Sequence, residues 1–186
     1  MLPRVYADFR LTAAREASMS EVAEGASVLF RSLHGAFTHM SGHFALAFPR
    51  LDHKSPHARL LVFRVFAESL EDLESLHNFM KGGDGLGRRF RADFPETVPV
   101  DFYGQWKAYK RARIHARSVP EARAKTMRQL DEAGTSWIDM GSKENGQRFR
   151  MYVTVVESNQ AGEIGRVNSY GLSIADQLLY LPHIEG

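Results

Sequence analysis

Apolar and polar residues alternate near the start of the chain, where Tyr6, Asp8 and Arg10 separate Val5, Ala7, Phe9 and Leu11. A period of two puts each set on its own face and predicts a half-buried strand. Ser18-Met19-Ser20-Glu21 has capping-box spacing. Behind it Val22, Ala26, Leu29, Phe30, Leu33 and Phe37 recur at helical intervals, which predicts a helix with one apolar stripe. Alternation returns at Phe44, Leu46 and Phe48, stops at Pro49, and resumes at Leu61, Phe63 and Val65 after a polar linker from Asp52 to His57. Ser69 opens a second helix with Leu70, Leu73, Leu76 and Met80 on one face and Gly82-Gly83 as its stop. A fourth extended run lies between Arg88 and Asp101, its limits blurred by Pro95 and Pro99.

The expected order is strand, helix, strand, strand, helix, strand. This is the order of the ferredoxin-like split βαβ arrangement, a frequent scaffold of RNA-binding domains, although a fold alone does not define a function. The second half reads differently. A basic stretch from Lys107 to Arg117 leads to Pro120, which suits the first turn of a helix carrying Arg123, Lys125 and Arg128. Two strand-like segments follow, Trp137 to Met140 and Phe149 to Val156, joined by a loop containing Gly141 and Ser142. The expected fold class is therefore α+β, with a ferredoxin-like βαββαβ domain over 1–98 and a smaller α+β RNA-binding domain with a basic helix over 99–186.

With 186 residues the chain fits one large domain or two small ones. It has no cysteine, which excludes disulfides, thiolate metal sites and a cysteine nucleophile. No apolar run approaches the roughly 18 residues that span a bilayer, and Met1-Leu2-Pro3-Arg4 lacks a signal peptide's apolar stretch, so a cytoplasmic protein without a membrane partner is expected. The net charge of +2 says little, but its distribution says more. Lys107, Lys110, Arg111, Arg113, Arg117, Arg123, Lys125 and Arg128 face one acid, Glu121, in the same stretch. A basic block on a mildly acidic body is the footprint of a polyanion partner, against the alternative of a solvated helix face.

The candidate chemistry begins with histidine. His39/His43 and His53/His57 are i, i+4 pairs, but neither carries the glutamate of a zinc-protease motif, and no metal or other cofactor is expected. Gly82 to Gly87 is glycine-rich but follows a helix and lacks the Gly-Lys-Ser/Thr ending of a phosphate loop, so it reads as a connection. His34 lies at the edge of the apolar stripe, where periodicity alone makes it a boundary residue. Ser142 alone is a loop serine, with no Gly-x-Ser-x-Gly elbow around it.

Several segments taken together carry more than any one of them: Val28 to His34 (VLFRSLH), Phe44 to Asp52 (FALAFPRLD), Arg113 to Glu121 (RIHARSVPE), Ser142 followed by Gly146 to Arg150 (GQRFR), and Tyr170 to Ser173 (YGLS). In this order and spacing the chain resembles the repeat-RNA processing endoribonucleases of type I-F CRISPR systems, the Csy-type enzymes. The resemblance implies metal-independent cleavage of a CRISPR repeat hairpin, retention of the product hairpin as the guide's 3′ handle, and entry into a surveillance complex, the free protein being a monomer. It implies His34 and Ser142 as catalytic residues, Tyr170 beside the histidine, and Phe149 stacked on the closing base pair. It places Arg113 and His115 where the family reads bases. Beside the resemblance, the charge pattern offers Lys107, Lys110, Arg111, Arg117, Arg123, Lys125 and Arg128 to the RNA, and Lys143, Arg148 and Arg150 crowd the Ser142 loop, where they can offset phosphate charge.

The chemistry suits this set. RNA supplies its own nucleophile, the 2′-hydroxyl, so the protein must position it, take its proton and steady the phosphorane. Three departures stand out: Glu144 occupies a position where the family has a second serine, the basic helix after Pro120 is thinned, and His115 stands where the family has glutamine. A non-cleaving subunit that binds the hairpin is the alternative these departures leave open.

Overall fold

The computed structural model describes residues 3–12, 17–40, 44–54, 56–82, 89–114, 119–141, 148–161, 165–174 and 176–185. It is a mixed α and β structure with two antiparallel sheets. The first sheet contains β1 (Val5–Leu11), β2 (Ala45–Ala47), β3 (Val62–Ala67), β4 (Phe90–Ala92) and β5 (Glu96–Thr97). Its order is β2-β3-β1-β4, and β5 pairs with β1 beyond β4. Helix α1 (Met19–His39) joins β1 to β2, and helix α3 (Leu70–Lys81) joins β3 to β4. The expected polar linker contains a single turn, α2 (Pro56–Arg59), and the fourth extended run is split in two, as β4 and β5.

Both long helices begin where the sequence signals them. Ser18 caps α1, and Glu21 returns the hydrogen bond to the Ser18 backbone N–H, completing the capping box. Ser69 caps α3 by accepting from the Asp72 backbone N–H. The register pairs Asp8 with Arg64, Tyr6 with Phe66 and Phe9 with Phe63, so each pair shares a face. Phe63 meets Phe30 of α1 at 6.4 Å between ring centroids, which defines the helix-covered face. The other face carries Tyr6, Asp8, Arg10 and Arg64, and β3 is buried at every position. Alternation around Phe63 therefore captured only one of two buried faces.

The second sheet has the order β7-β8-β6-β9 and is built from β6 (Trp106–Ala112), β7 (Ser136–Gly141), β8 (Arg148–Ser158) and β9 (Leu181–Pro182). Strands β6 and β7 are both antiparallel to β8 and so run the same way, with helix α4 (Pro120–Glu132) between them in the chain. The basic stretch after Lys107 thus begins as a strand that sequence reading left unassigned. Helix α4 has Pro120 in its first turn, no side-chain N-cap and no buried residue. It ends in a Schellman motif: Gly134 has φ 66°, Thr135 N–H donates to Leu130 C=O and Gly134 N–H to Asp131 C=O.

Helix α1 lies between the sheets, against β3 through Phe30 and against β7. Buried residues of both sheets, among them Phe9, Phe63, Tyr109, Ile138 and Val153, join one hydrophobic cluster with Leu29, Leu33 and Phe37 of α1. Among the described residues no helix is long and apolar enough to cross a membrane.

Candidate active site between helix α1 and the second sheet

His34 stands one turn after Phe30 on α1, beside the buried stripe. Its ring is half-buried and stacks on Tyr170 at 4.1 Å between centroids and 13° between planes. Phe30 stacks on the same tyrosine at 5.6 Å. Ser169 Oγ is 3.3 Å from His34 Nε2. Burial lowers the imidazole pKa below its ordinary value, because the charged form loses hydration. The neutral, proton-accepting form therefore persists to lower pH than in a solvated histidine.

A tight turn delivers Tyr170 to this place. Asn168 Oδ1 accepts from the Tyr170 backbone N–H at 2.9 Å and the Leu172 N–H at 3.3 Å. Gly171 follows with φ 73°, a region that disfavours L side chains. A Cβ there would lie 2.8 Å from Cε2 of Phe37 and 3.0 Å from the Leu46 nitrogen. The Leu46 N–H donates to Gly171 C=O at 2.8 Å, pinning the turn to β2. Two requirements, left-handed backbone and contact with the core, thus make glycine the residue that fits beside the tyrosine.

Strand β6 supplies the cations, and its alternation divides the basic block. Lys107, Tyr109 and Arg111 share one face. Lys107 is 4% exposed and pairs with Asp52 at 2.6 Å and Glu157 at 3.4 Å. In the folded protein its ammonium is thus taken up by two carboxylates. Arg111 places its guanidinium carbon 5.5 Å from the centre of the Tyr170 ring, and Arg113 is exposed farther along. Lys110 alternates to the opposite face, which also carries Trp137, Arg150 and Tyr152. There Arg150 lies 4.3 Å from the Trp137 ring centre and 3.4 Å from Asp131 of α4, and Tyr152 donates to Asp131 at 2.8 Å. Arg123, Lys125 and Arg128 are exposed on α4. Phe149 is half-buried against the hydrophobic cluster.

Ser142, Lys143, Glu144, His115 and Arg117 lie outside the described residues, as does the side chain of Arg148. Of the expected catalytic residues, the structure thus brings together His34 and Tyr170, from opposite ends of the chain, and adds Ser169. The signal in the sequence that could have found that serine is the turn-forming pair Asn168 and Gly171 on either side of it. Among the described residues no group of three or more His, Asp or Glu side chains has metal-binding geometry, and the His39 ring packs on Phe79 at 5.0 Å. No family model and no curated protein sequence matches the chain.

Proposed function

We propose that this protein is a metal-independent endoribonuclease that cleaves CRISPR repeat hairpins and keeps the product bound, in the manner of the type I-F enzymes its motifs resemble. The observation that carries the reading is the His34–Tyr170 stack, 4.1 Å apart, with the Ser169 hydroxyl at the imidazole nitrogen. A neutral imidazole held by an aromatic plane and a hydroxyl is suited to proton transfer near neutral pH, worth about 10²–10⁴-fold in rate. The strand order β2-β3-β1-β4 with its two helical crossovers supports a ferredoxin-like reading of the first half.

In this mechanism His34 takes the proton of the 2′-hydroxyl, and the 2′-oxygen forms a bond to phosphorus. The bond from phosphorus to the 5′-oxygen breaks, that oxygen takes a proton from water, and the His34 imidazolium returns its proton to the solvent. The products are a 2′,3′-cyclic phosphate and a 5′-hydroxyl. Ser142 holds the attacking hydroxyl in line. Helix α4, exposed and without a buried residue, offers Arg123, Lys125 and Arg128 to the hairpin's phosphates, while Arg113 reads a base edge.

The test is incubation with the cognate repeat hairpin in EDTA, alongside His34→Ala and an RNA with a 2′-deoxy scissile nucleotide. Cleavage by the wild type, lost in both controls with binding retained, is the expected result. A requirement for Mg²⁺ would overturn the mechanism, and tight binding without cleavage would identify a structural hairpin-binding subunit.

A further inference from the structure

The face of β6 turned toward α1 accounts for its polar side chains one after another. Lys107 is paired with two carboxylates, and the Tyr109 hydroxyl donates to the Phe48 carbonyl at 3.4 Å. Arg111 is next on that face and differs. Among the described residues no carboxylate pairs with it, and its contact is the Tyr170 ring. On the same face Lys107 has Asp52 and Glu157, and in the first sheet Arg10 and Arg64 both have Asp8. A partly desolvated guanidinium is costly without an anion, and a cation–π contact returns only part of that cost.

We propose that Arg111, Tyr170, His34 and Ser169 form a phosphodiester subsite, in which the Arg111 guanidinium takes the non-bridging phosphate oxygens beside the imidazole. The assignment deepens the nuclease reading and rests on it for the identity of the diester as RNA. The guanidinium fork matches two phosphate oxygens at once. Arg111 and His34 both contact the Tyr170 ring, which gathers the cation and the imidazole at one residue. The exposed Ser169 hydroxyl marks the open side of the site. Arg113, just past the end of β6, is a second, exposed cation, an arrangement suited to an anion with repeated charges more than to a single carboxylate. Arg111 thereby supplies charge that steadies the phosphorane, which sharpens the general phosphate contact expected of it to the reacting diester.

The subsite is tested without any cleavage, by following the His34 ring resonances while titrating the wild-type protein with the dinucleotide thymidylyl-(3′→5′)-deoxyadenosine, which has no 2′-hydroxyl, and separately with inorganic phosphate. Both ligands are expected to give saturable shifts in the wild type. Arg111→Gln should weaken both at least tenfold, and Arg111→Lys, which keeps the charge but not the fork, should weaken them less. The ring-current shift that Tyr170 imposes on His34 reports, in each ligand-free variant, that the stack is intact. The proposal is overturned if the wild type gives no saturable shift with the dinucleotide, if only inorganic phosphate shifts the ring, or if a variant with an intact stack binds as the wild type does. RNA cleavage without a dinucleotide shift rejects the subsite alone. A shift without RNA cleavage rejects the nuclease reading alone.

Discussion

Two clusters of charged and aromatic side chains lie on different faces of this molecule and use similar residues to opposite ends. On the face of the first sheet away from α1, Arg64 grips Asp8 with two hydrogen bonds, at 2.6 and 3.0 Å, and donates to the Ile184 carbonyl at 2.5 Å. Arg10 bridges Asp8 and Asp93, and Tyr6 donates to Glu96 at 2.5 Å. Burial and Glu96 push the Tyr6 hydroxyl up to about 12, so it remains a donor across the ordinary pH range. These groups line a cavity of about 90 Å³ in which each guanidinium meets a carboxylate. Between α1 and the second sheet, Arg111, Tyr170, His34 and Ser169 are also gathered from distant segments, but the guanidinium rests on a ring instead of an acid. The first cluster is closed and serves the fold. In the second, no carboxylate among the described residues pairs with the cation, and the imidazole Nε2 meets a neutral hydroxyl, an arrangement suited to an anionic substrate.

The strongest way to break this contrast is to remove an acid from the closed cluster. Asp8 and Arg64 are 5% and 3% exposed, so Asp8→Ala leaves a buried guanidinium without its partner. A loss of about 3–5 kcal/mol is expected in urea unfolding. A loss below about 1 kcal/mol would show that the cluster is not structural. Next in size is Gly171→Ala. Its left-handed backbone costs about 1–2 kcal/mol, and the contacts with Phe37 and Leu46 add to that. The variant should lose the ring-current shift on His34 as well as stability; retention of both would mean the turn does not set the stack.

The smallest effect is the pH dependence of stability due to His34. Burial places its folded pKa below the unfolded value of about 6.5, so between the two the unfolded chain binds more protons and stability rises with pH. Stability should therefore fall as pH drops below about 6.5, and less so in His34→Gln. His77 and His183 are lowered by burial too and contribute with the same sign, so the difference between wild type and variant is the measurement. For the same reason the acid limb of RNA cleavage should lie below the ordinary histidine range. An acid limb above pH 6.5 would contradict the burial of the imidazole.

Where local chemistry decided the structure, the sequence was legible. Ser18 with Glu21 and Ser69 with Asp72 start both long helices, and the alternations around Phe9, Leu46 and Phe63 became β1, β2 and β3. Strand β6 was hidden because its inward positions include Lys107 and Arg111, which are polar by type and acceptable there only through Asp52, Glu157 and the Tyr170 ring. The basic block looked like one patch because sequence distance ignores sides; the strand sends Arg111 and Lys110 to opposite faces. His34 was visible as a helix-edge histidine and Tyr170 as part of a motif, with nothing local to join them.

By itself, then, the sequence determined the caps, the periodicities and the motif set, since these depend on neighbours within a few residues. Tertiary structure alone decided which charges are consumed and which are left over. Lys107 and Arg111 differ only in what folding brings to them: two carboxylates in one case, an aromatic ring beside an imidazole in the other. Pairing between residues far apart in the chain depends on sheet register and helix packing, and no local pattern encodes it.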